Sequence, residues 1–285
     1  MSDNTIAVTG STGRLGGLVA RSLSTSGHPL RLLVRNPNRA PSIDNTTLVP
    51  ADYSDFDAAA QALDGIDVVF MVSAHESQDR VDVHRRFIDA ACAAGVSHIV
   101  YTSFLGAAPD AVFTLARDHW ATEQHIASSG LTHTFLRNSF YLDLLPHMVG
   151  TDGVIRGPAG AGRLAGIAVS DIAEIASSIL EEPTHHRGTT YELTGSEPLD
   201  FDQIASTLSR SSGHSSTFHN ETIDEAWESR RSAFGAPDWQ IDAWVSTYTA
   251  IASGAYGWVS PDTAKLLGRE PMTLADVLGR LDGQQ

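Results

Sequence analysis

The chain has 285 residues, and 19 basic against 34 acidic side chains leave a formal charge of −15. A surface this acidic repels phosphate backbones at long range and no arginine stripe opposes it, so nucleic acid is not an expected partner. With 42% hydrophobic and 19% charged residues, the composition excludes intrinsic disorder and can fill a large core.

Residues 6–9 form a compact apolar run that ends at Gly10, and Leu15, Leu18, Val19 and Leu23 recur at helical spacing through 14–26. That pattern predicts strand, glycine turn, helix. Further strands are expected at 30–34, 47–49 and 68–72, the last apolar throughout as in a strand buried on both faces. Ser54 with Asp57 three residues on predicts a capping box that opens a helix to Leu63. A helix over 78–94 places Val83, Phe87, Ala91 and Ala94 on one side, and 98–102 is the fifth strand. A helix over 115–128, capped near Gly130, leads to a sixth strand over 132–136. Such alternation predicts a Rossmann-type α/β fold with a doubly wound parallel sheet.

Past Arg137 the pattern loosens into a glycine-rich stretch over 150–166. Helices are expected to begin at Ser170, Asp200, Thr222 and Thr273, with a strand over 189–193 and a helix over 238–253. The division implied is a dinucleotide-binding domain over 1–150 and a smaller C-terminal α/β lobe over 151–285, partly interleaved with it. Trp227, Trp239, Trp244, Tyr248 and Trp258 belong to that lobe and are expected mainly to pack it.

Cys92 is the single cysteine and the amino-terminal stretch lacks a basic segment followed by an apolar one, so a reducing, cytoplasmic location is expected. No apolar run is long enough to predict a membrane span. No histidine cluster has metal-ligand spacing, so no metal is expected. A monomer or a homodimer is compatible with the sequence.

The chemistry-bearing motif is Gly10-Ser11-Thr12-Gly13-Arg14-Leu15-Gly16, placed between the first strand and its helix. Gly10 permits the tight turn, Gly13 lets backbone approach a pyrophosphate, and Gly16 lets the helix pack against the sheet. The backbone N–H groups and the helix dipole then favour an anion. The second strand ends in Val34-Arg35, where an NAD-specific site offers an acid to the ribose. An arginine there pairs with a 2′-phosphate, so NADP(H) is expected as the preferred cofactor, with Arg14 as a second cation. The other reading is a solvated Arg35 in a site that takes NAD(H) as well. Asp52 and Tyr53 are candidates to border the adenine, or else a helix-start acid and a surface aromatic.

Six stretches in order, TGSTGRLG, LVRNP, ADYSD, YTSFLGA, DHWATEQHIASSGL and LRNSFYLD, resemble the NmrA-like family of atypical short-chain dehydrogenase/reductases. Within it the chain is most similar to quinone- and triphenylmethane-reducing members. The resemblance runs to about Tyr191 and returns in LLGREPMTLADVL. It implies an NADPH-dependent oxidoreductase that transfers hydride to a quinone or similar planar conjugated acceptor. The alternative it implies is a non-catalytic NADP(H)-binding sensor. The superfamily's usual acid, a tyrosine with a lysine four residues later, is excluded, because Lys265 is the only lysine and Pro261 stands four before it.

Doubly wound sheets bind ligands at the carboxyl ends of their strands. Ser73 and Ala74, then Thr102 and Ser103, then Asn138 are therefore cofactor candidates. Phe104, Phe140 and Tyr141 are candidates for an apolar acceptor wall, or for ordinary core. His119 falls where the resemblance puts the nicotinamide ribose, and is a candidate cofactor contact or proton donor, with Glu123 one turn on to orient it. Tyr141 is the second candidate for a catalytic group.

Overall fold

The computed structural model describes residues 4–282. Its main sheet has seven strands: β1 (Ile6–Thr9), β2 (Leu30–Val34), β3 (Thr46–Pro50), β4 (Val68–Met71), β5 (His98–Phe104), β6 (Thr132–Asn138) and β8 (Thr189–Leu193). Their order across the sheet is β3-β2-β1-β4-β5-β6-β8. The pairs from β3 to β5 are all parallel, with Ile6 level with Leu30 on one side and Val68 on the other. All four residues of β1 and of β4 are buried, as strands covered by helices on both faces must be. The chain winds outward from β1 to β3 and then returns to place β4 on the other side of β1. The crevice above β1 and β4 is thus the topological switch point, where such sheets open a ligand site.

The helices follow from their apolar stripes. In α1 (Arg14–Thr25), Leu15, Val19, Ala20 and Leu23 are buried. Helix α2 (Phe56–Leu63) buries Ala59, Ala62 and Leu63, and α3 (Arg80–Ala93) buries Phe87, Ile88, Ala90 and Ala91. These join Val69, Met71, Ile99 and Tyr101 in one core cluster, against which Cys92 also packs. Helix α4 (Thr114–Ser128) precedes β6, and α5 (Val169–Glu181) precedes β8.

Several expected boundaries move. Asp55, not Ser54, caps α2, its carboxylate accepting from the Ala58 N–H at 3.0 Å. Ser54 instead donates to Asp52, which draws it out of the capping position. Helix α3 starts at Arg80 rather than at 78, and α5 starts at Val169, whose N–H donates to Asp143. The expected starts at Asp200 and Thr222 hold, each forming a capping box, and Thr273 exchanges the same pair of bonds with Asp276. A second, two-stranded sheet, β7 (Val154–Gly157) with β9 (Thr217–Asn220), was not legible in the pattern. Four-residue strands are too short for alternation to register, and β7 lies inside the glycine-rich stretch.

The chain groups into two compact units. The first takes the chain up to Phe104, then Asp118–Arg137 and Ile172–Tyr191. The second takes Leu105–Arg117, Asn138–Asp171 and the chain from Glu192 onward. Within the second, Tyr248 of the helix Asp238–Ala252 packs on Phe201, and the Arg230 guanidinium lies 5.3 Å from its ring. Asp171, fully buried, accepts from Arg269 and from the Met272 N–H, which ties the C-terminal segment to the start of α5. Among the described residues, no helix is long and apolar enough to cross a membrane.

Candidate functional site: a crevice at the switch point

A cavity of about 390 Å³ opens at the carboxyl ends of β1 and β4, inside the first unit. Of the residues expected to hold a cofactor, Gly10, Thr12, Arg35, Asp52, Tyr53, Ser73 and Ala74 all line it, joined by His75, Ser77 and Asp79. Gly10 adopts φ +63°, and a Cβ there would stand 2.9 Å from the Val72 Cβ. A Cβ on Gly16 would lie 2.5 Å from the Gly10 carbonyl oxygen, so only glycine lets α1 approach the turn this closely. The Gly13 N–H closes the turn on the Gly10 carbonyl at 2.9 Å. Gly13, Arg14, Leu15 and Gly16 do not line the cavity; their place is in the turn and the first turn of α1.

Arg35 is exposed at the tip of β2, and it and His75 both lie within electrostatic reach of Asp52. The Ser54 hydroxyl and N–H, both donating to Asp52, hold its carboxyl below the usual range, and Arg35 adds to the effect. The rim of the crevice therefore carries a fixed cation beside a carboxylate that stays ionised.

One wall of the crevice is a ledge, residues 72–74, that extends past the end of β4. Its backbone is held by side chains rather than by neighbouring strands. The N–H groups of Val72, Ser73 and Ala74 donate to Thr9 Oγ1 at 2.9 Å, Thr102 Oγ1 at 2.8 Å and His84 Nε2 at 2.8 Å. The carbonyls of Val72 and Ala74 accept from the Tyr53 hydroxyl at 2.7 Å and from Arg80 Nε at 3.1 Å. Tyr53 is thus no surface aromatic: it stacks on Phe87 and its hydroxyl also meets Thr9. Thr102 likewise serves the ledge from behind instead of lining the cavity.

Arg80 and His84 had not been singled out as site residues. Arg80 is only 5% exposed, His84 is fully buried, and both lie on α3 one turn apart. The signal was available, because positions 80, 84, 87, 88 and 91 fall on one helical stripe, and two basic groups on a core stripe demand partners. Arg80 Nη2 meets His119 Nε2 at 3.2 Å, and Nη1 lies 3.7 Å from Asp118. His119, 6% exposed, meets the Tyr101 hydroxyl through Nδ1 at 3.0 Å, and its ring lies against that of Phe104. Burial, the Arg80 charge and His84 push the His119 imidazole well below its ordinary range. Burial and Arg80 take His84 to about 3.

Glu123 does not orient His119. Its carboxylate takes Arg137 in a two-pronged pair, at 2.9 and 2.6 Å, and accepts from Ser103 Oγ. The cation one strand over outcompetes a neutral imidazole one turn away. Asn138 ends β6 with its amide buried, and neither side-chain atom finds a partner in the chain. Phe104 belongs to the first unit, whereas Phe140, in the second, packs between Phe113 and Tyr256. Tyr141 pairs its backbone with Ile167 in a parallel bridge. All three aromatics are half-buried. Among the described residues, no group of three or more His, Cys, Asp or Glu is placed to hold a metal.

Strand order, glycine turn and crevice define a Rossmann-like dinucleotide-binding protein. The model of the NmrA-like family matches residues 2–227, and the chain belongs to that family. It is 34% identical to quinone oxidoreductase 2 of Escherichia coli strain K12, over 97% of this chain and 98% of the relative. The crystal structure of the NADPH-dependent quinone oxidoreductase of Escherichia coli complexed with NADPH superposes with a TM-score of 0.88 at 33% identity, covering 98% of this chain and all of the other. The triphenylmethane reductase of Citrobacter sp. complexed with NADP(H) gives a TM-score of 0.86 at 29% identity, covering 97% and 99%.

Proposed function

We propose that the protein binds NADP(H) in the switch-point crevice and delivers hydride to a quinone or similar planar conjugated acceptor without a tyrosine–lysine acid pair. It is an NAD(P)H-dependent oxidoreductase, and the 34% identity to quinone oxidoreductase 2 over nearly the whole of both chains supports that class. The single observation that carries the cofactor choice is Arg35, exposed at the rim in the position where an acid would select NAD.

The residues fit the group. Gly10 and Gly16 let the turn and α1 close on each other where a Cβ would collide with Val72 or the Gly10 carbonyl, and the N-terminus of α1 faces the turn as an anion site. Thr12, Ser73 and Ala74 line the floor, and Asp52 and Tyr53 stand where the adenosine end would lie. Bound NADPH supplies the hydride. The chain's own contribution is binding and orientation, since a quinone or a delocalised dye accommodates the incoming charge within its own π-system. Asn138 remains a proposed cofactor contact, because a buried amide left unpaired costs about 1–3 kcal/mol. Ser103, which donates to Glu123, supports β5 beneath the site. Phe104, Phe140 and Tyr141 are the proposed acceptor contacts, each half-buried. A small-molecule acceptor is the partner this chemistry requires.

Anaerobic oxidation of NADPH and NADH against a panel of quinones and cationic dyes tests the proposal. Saturable turnover that favours NADPH is the expected result. Tight NADPH binding with no acceptor reduced would overturn hydride transfer and make the protein a cofactor sensor.

A further inference from the structure

The buried groups behind the ledge fix the tautomer of each imidazole, and the starting point is that a guanidinium and a backbone N–H can only donate. Arg80 Nη2 donates to His119 Nε2, which is therefore bare, and the hydrogen of that ring sits on Nδ1 and goes to the Tyr101 hydroxyl. The Ala74 N–H donates to His84 Nε2, so His84 likewise carries its hydrogen on Nδ1 and gives it to Thr122 Oγ1 at 2.9 Å. Thr122 passes its own hydrogen to the Asp118 carbonyl at 2.8 Å. Arg80 Nε donates to the Ala74 carbonyl and so joins the two arms. No hydrogen is used twice, and no nitrogen of either imidazole is left over.

We infer that Arg80 is a positioning residue for the cofactor site: it joins two hydrogen-bonded arms, one through His119 to Tyr101 and one through Ala74 and His84 to Thr122, which set the crevice wall and lock both imidazoles as Nδ1–H tautomers. The assignment rests on the cofactor reading above only in saying what the wall is for. One consequence concerns His119, whose Nε2 lone pair is committed to a guanidinium and whose single N–H is committed to Tyr101. It has no proton to deliver, and its part is to hold Arg80 and Tyr101 in place. The groups that face it are Arg80 and His84 from α3, Tyr101 and Phe104 from β5, and Asp118 on its own helix, while Glu123 is turned to Arg137.

The network is testable by long-range ¹H–¹⁵N NMR of the imidazoles in the intact protein, with NADPH and NADH affinities measured by fluorescence. The wild-type protein is expected to show bare Nε2 and protonated Nδ1 for His84 and His119 from about pH 6 to 8. Arg80→Met removes both prongs, and is expected to weaken NADPH and NADH alike by about tenfold or more and to raise the His119 pKa, which burial still holds below its ordinary range. Arg80→Lys, with all its hydrogens on one nitrogen, reaches one acceptor of two and should stay within about threefold of Arg80→Met. Should Arg80→Met fail to fold, Thr122→Val removes the acceptor of the His84 hydrogen, and the wild-type spectrum decides by itself. An Nε2–H tautomer at either histidine would overturn the inference, as would a folded Arg80→Met with wild-type affinities. Absence of turnover with every acceptor would sink the hydride-transfer reading and leave the network intact, because neither tautomers nor affinities depend on an acceptor.

Discussion

Two buried histidine sites stand at opposite edges of the same sheet, and they differ in whether their hydrogens add up. At the carboxyl edge, His84 and His119 each face one donor and one acceptor, so a neutral imidazole satisfies both sides. At the amino edge, His98 opens β5 between two threonine hydroxyls, Thr132 Oγ1 at 2.8 Å and Thr134 Oγ1 at 3.0 Å. Thr132 donates to the Ser97 carbonyl and Thr134 to the His186 carbonyl, so both hydroxyls offer His98 only lone pairs. A neutral ring has one hydrogen for two acceptors. The charged ring would suit the hydroxyls, but burial and the nearby Arg187, His133 and His186 hold its pKa near 4. A buried cation that donates to a ring nitrogen and to the ledge carbonyl thus lets each neutral imidazole satisfy both its sides, whereas a histidine among hydroxyls is left one hydrogen short.

Only the carboxyl-edge site stands behind the crevice wall, and the largest expected effect at that edge comes from Gly16→Ala. A Cβ there meets the Gly10 carbonyl at 2.5 Å and that of Thr9 at 2.7 Å, neither of which can yield without shifting β1. Loss of measurable NADPH binding, with about 1–3 kcal/mol of destabilisation by thermal unfolding, is the expected result. Wild-type affinity in that variant would remove the turn from the cofactor site.

Next in size is Arg35→Asp. Replacing a phosphate-pairing cation by an anion beside Asp52 should raise the NADPH dissociation constant by about 100-fold and that of NADH by less than about threefold. Equal effects on the two cofactors would withdraw Arg35 as the selector, in contrast to Arg80, for which equal effects are expected.

The histidines also set a pH dependence. His84, His98 and His119 all have folded pKa values below the unfolded value near 6.5, so the unfolded chain binds more protons once the pH falls under 6.5. Stability is fully present above about pH 6.5 and declines as the pH drops toward 3 to 4, by about 1.4 kcal/mol per pH step for each histidine kept neutral. Chemical denaturation between pH 7.5 and 4.5 should show that slope, and a flat profile would contradict the burial of all three. Thr122→Val leaves the Nδ1 hydrogen of His84 without an acceptor and should cost about 1–3 kcal/mol at pH 7. The smallest effect is at the amino edge, where Arg187→Gln should raise the His98 pKa slightly, read from its NMR titration. No movement would detach Arg187 from that site.

Much of the frame is legible before any coordinates. The run from Ile6 to Gly16, the apolar β4 and the capped helices at Asp200 and Thr222 are local signals, carried by periodicity and by turn and cap chemistry within a few residues. The cavity-lining set from Gly10 to Ala74 was legible because strand ends converge by topology once the fold class is known. The glycine-rich stretch hid β7, and the role assigned to Glu123 failed, because a carboxylate one turn from a histidine carries no mark of an arginine 14 residues away.

Sequence by itself determined the Rossmann-like class, the glycine turn, the cation at the tip of β2 and the single lysine at position 265. These are properties of neighbouring residues and of composition. Tertiary structure alone decided which way the hydrogens run. Arg80, His84, Thr122 and His119 come from two helices up to 42 positions apart, Tyr101 and Ala74 from β5 and the ledge after β4. A hydrogen bond acquires its direction only when both partners are in place, so the tautomer of His119, and with it what that residue can do, is a property of the folded network and not of the residue.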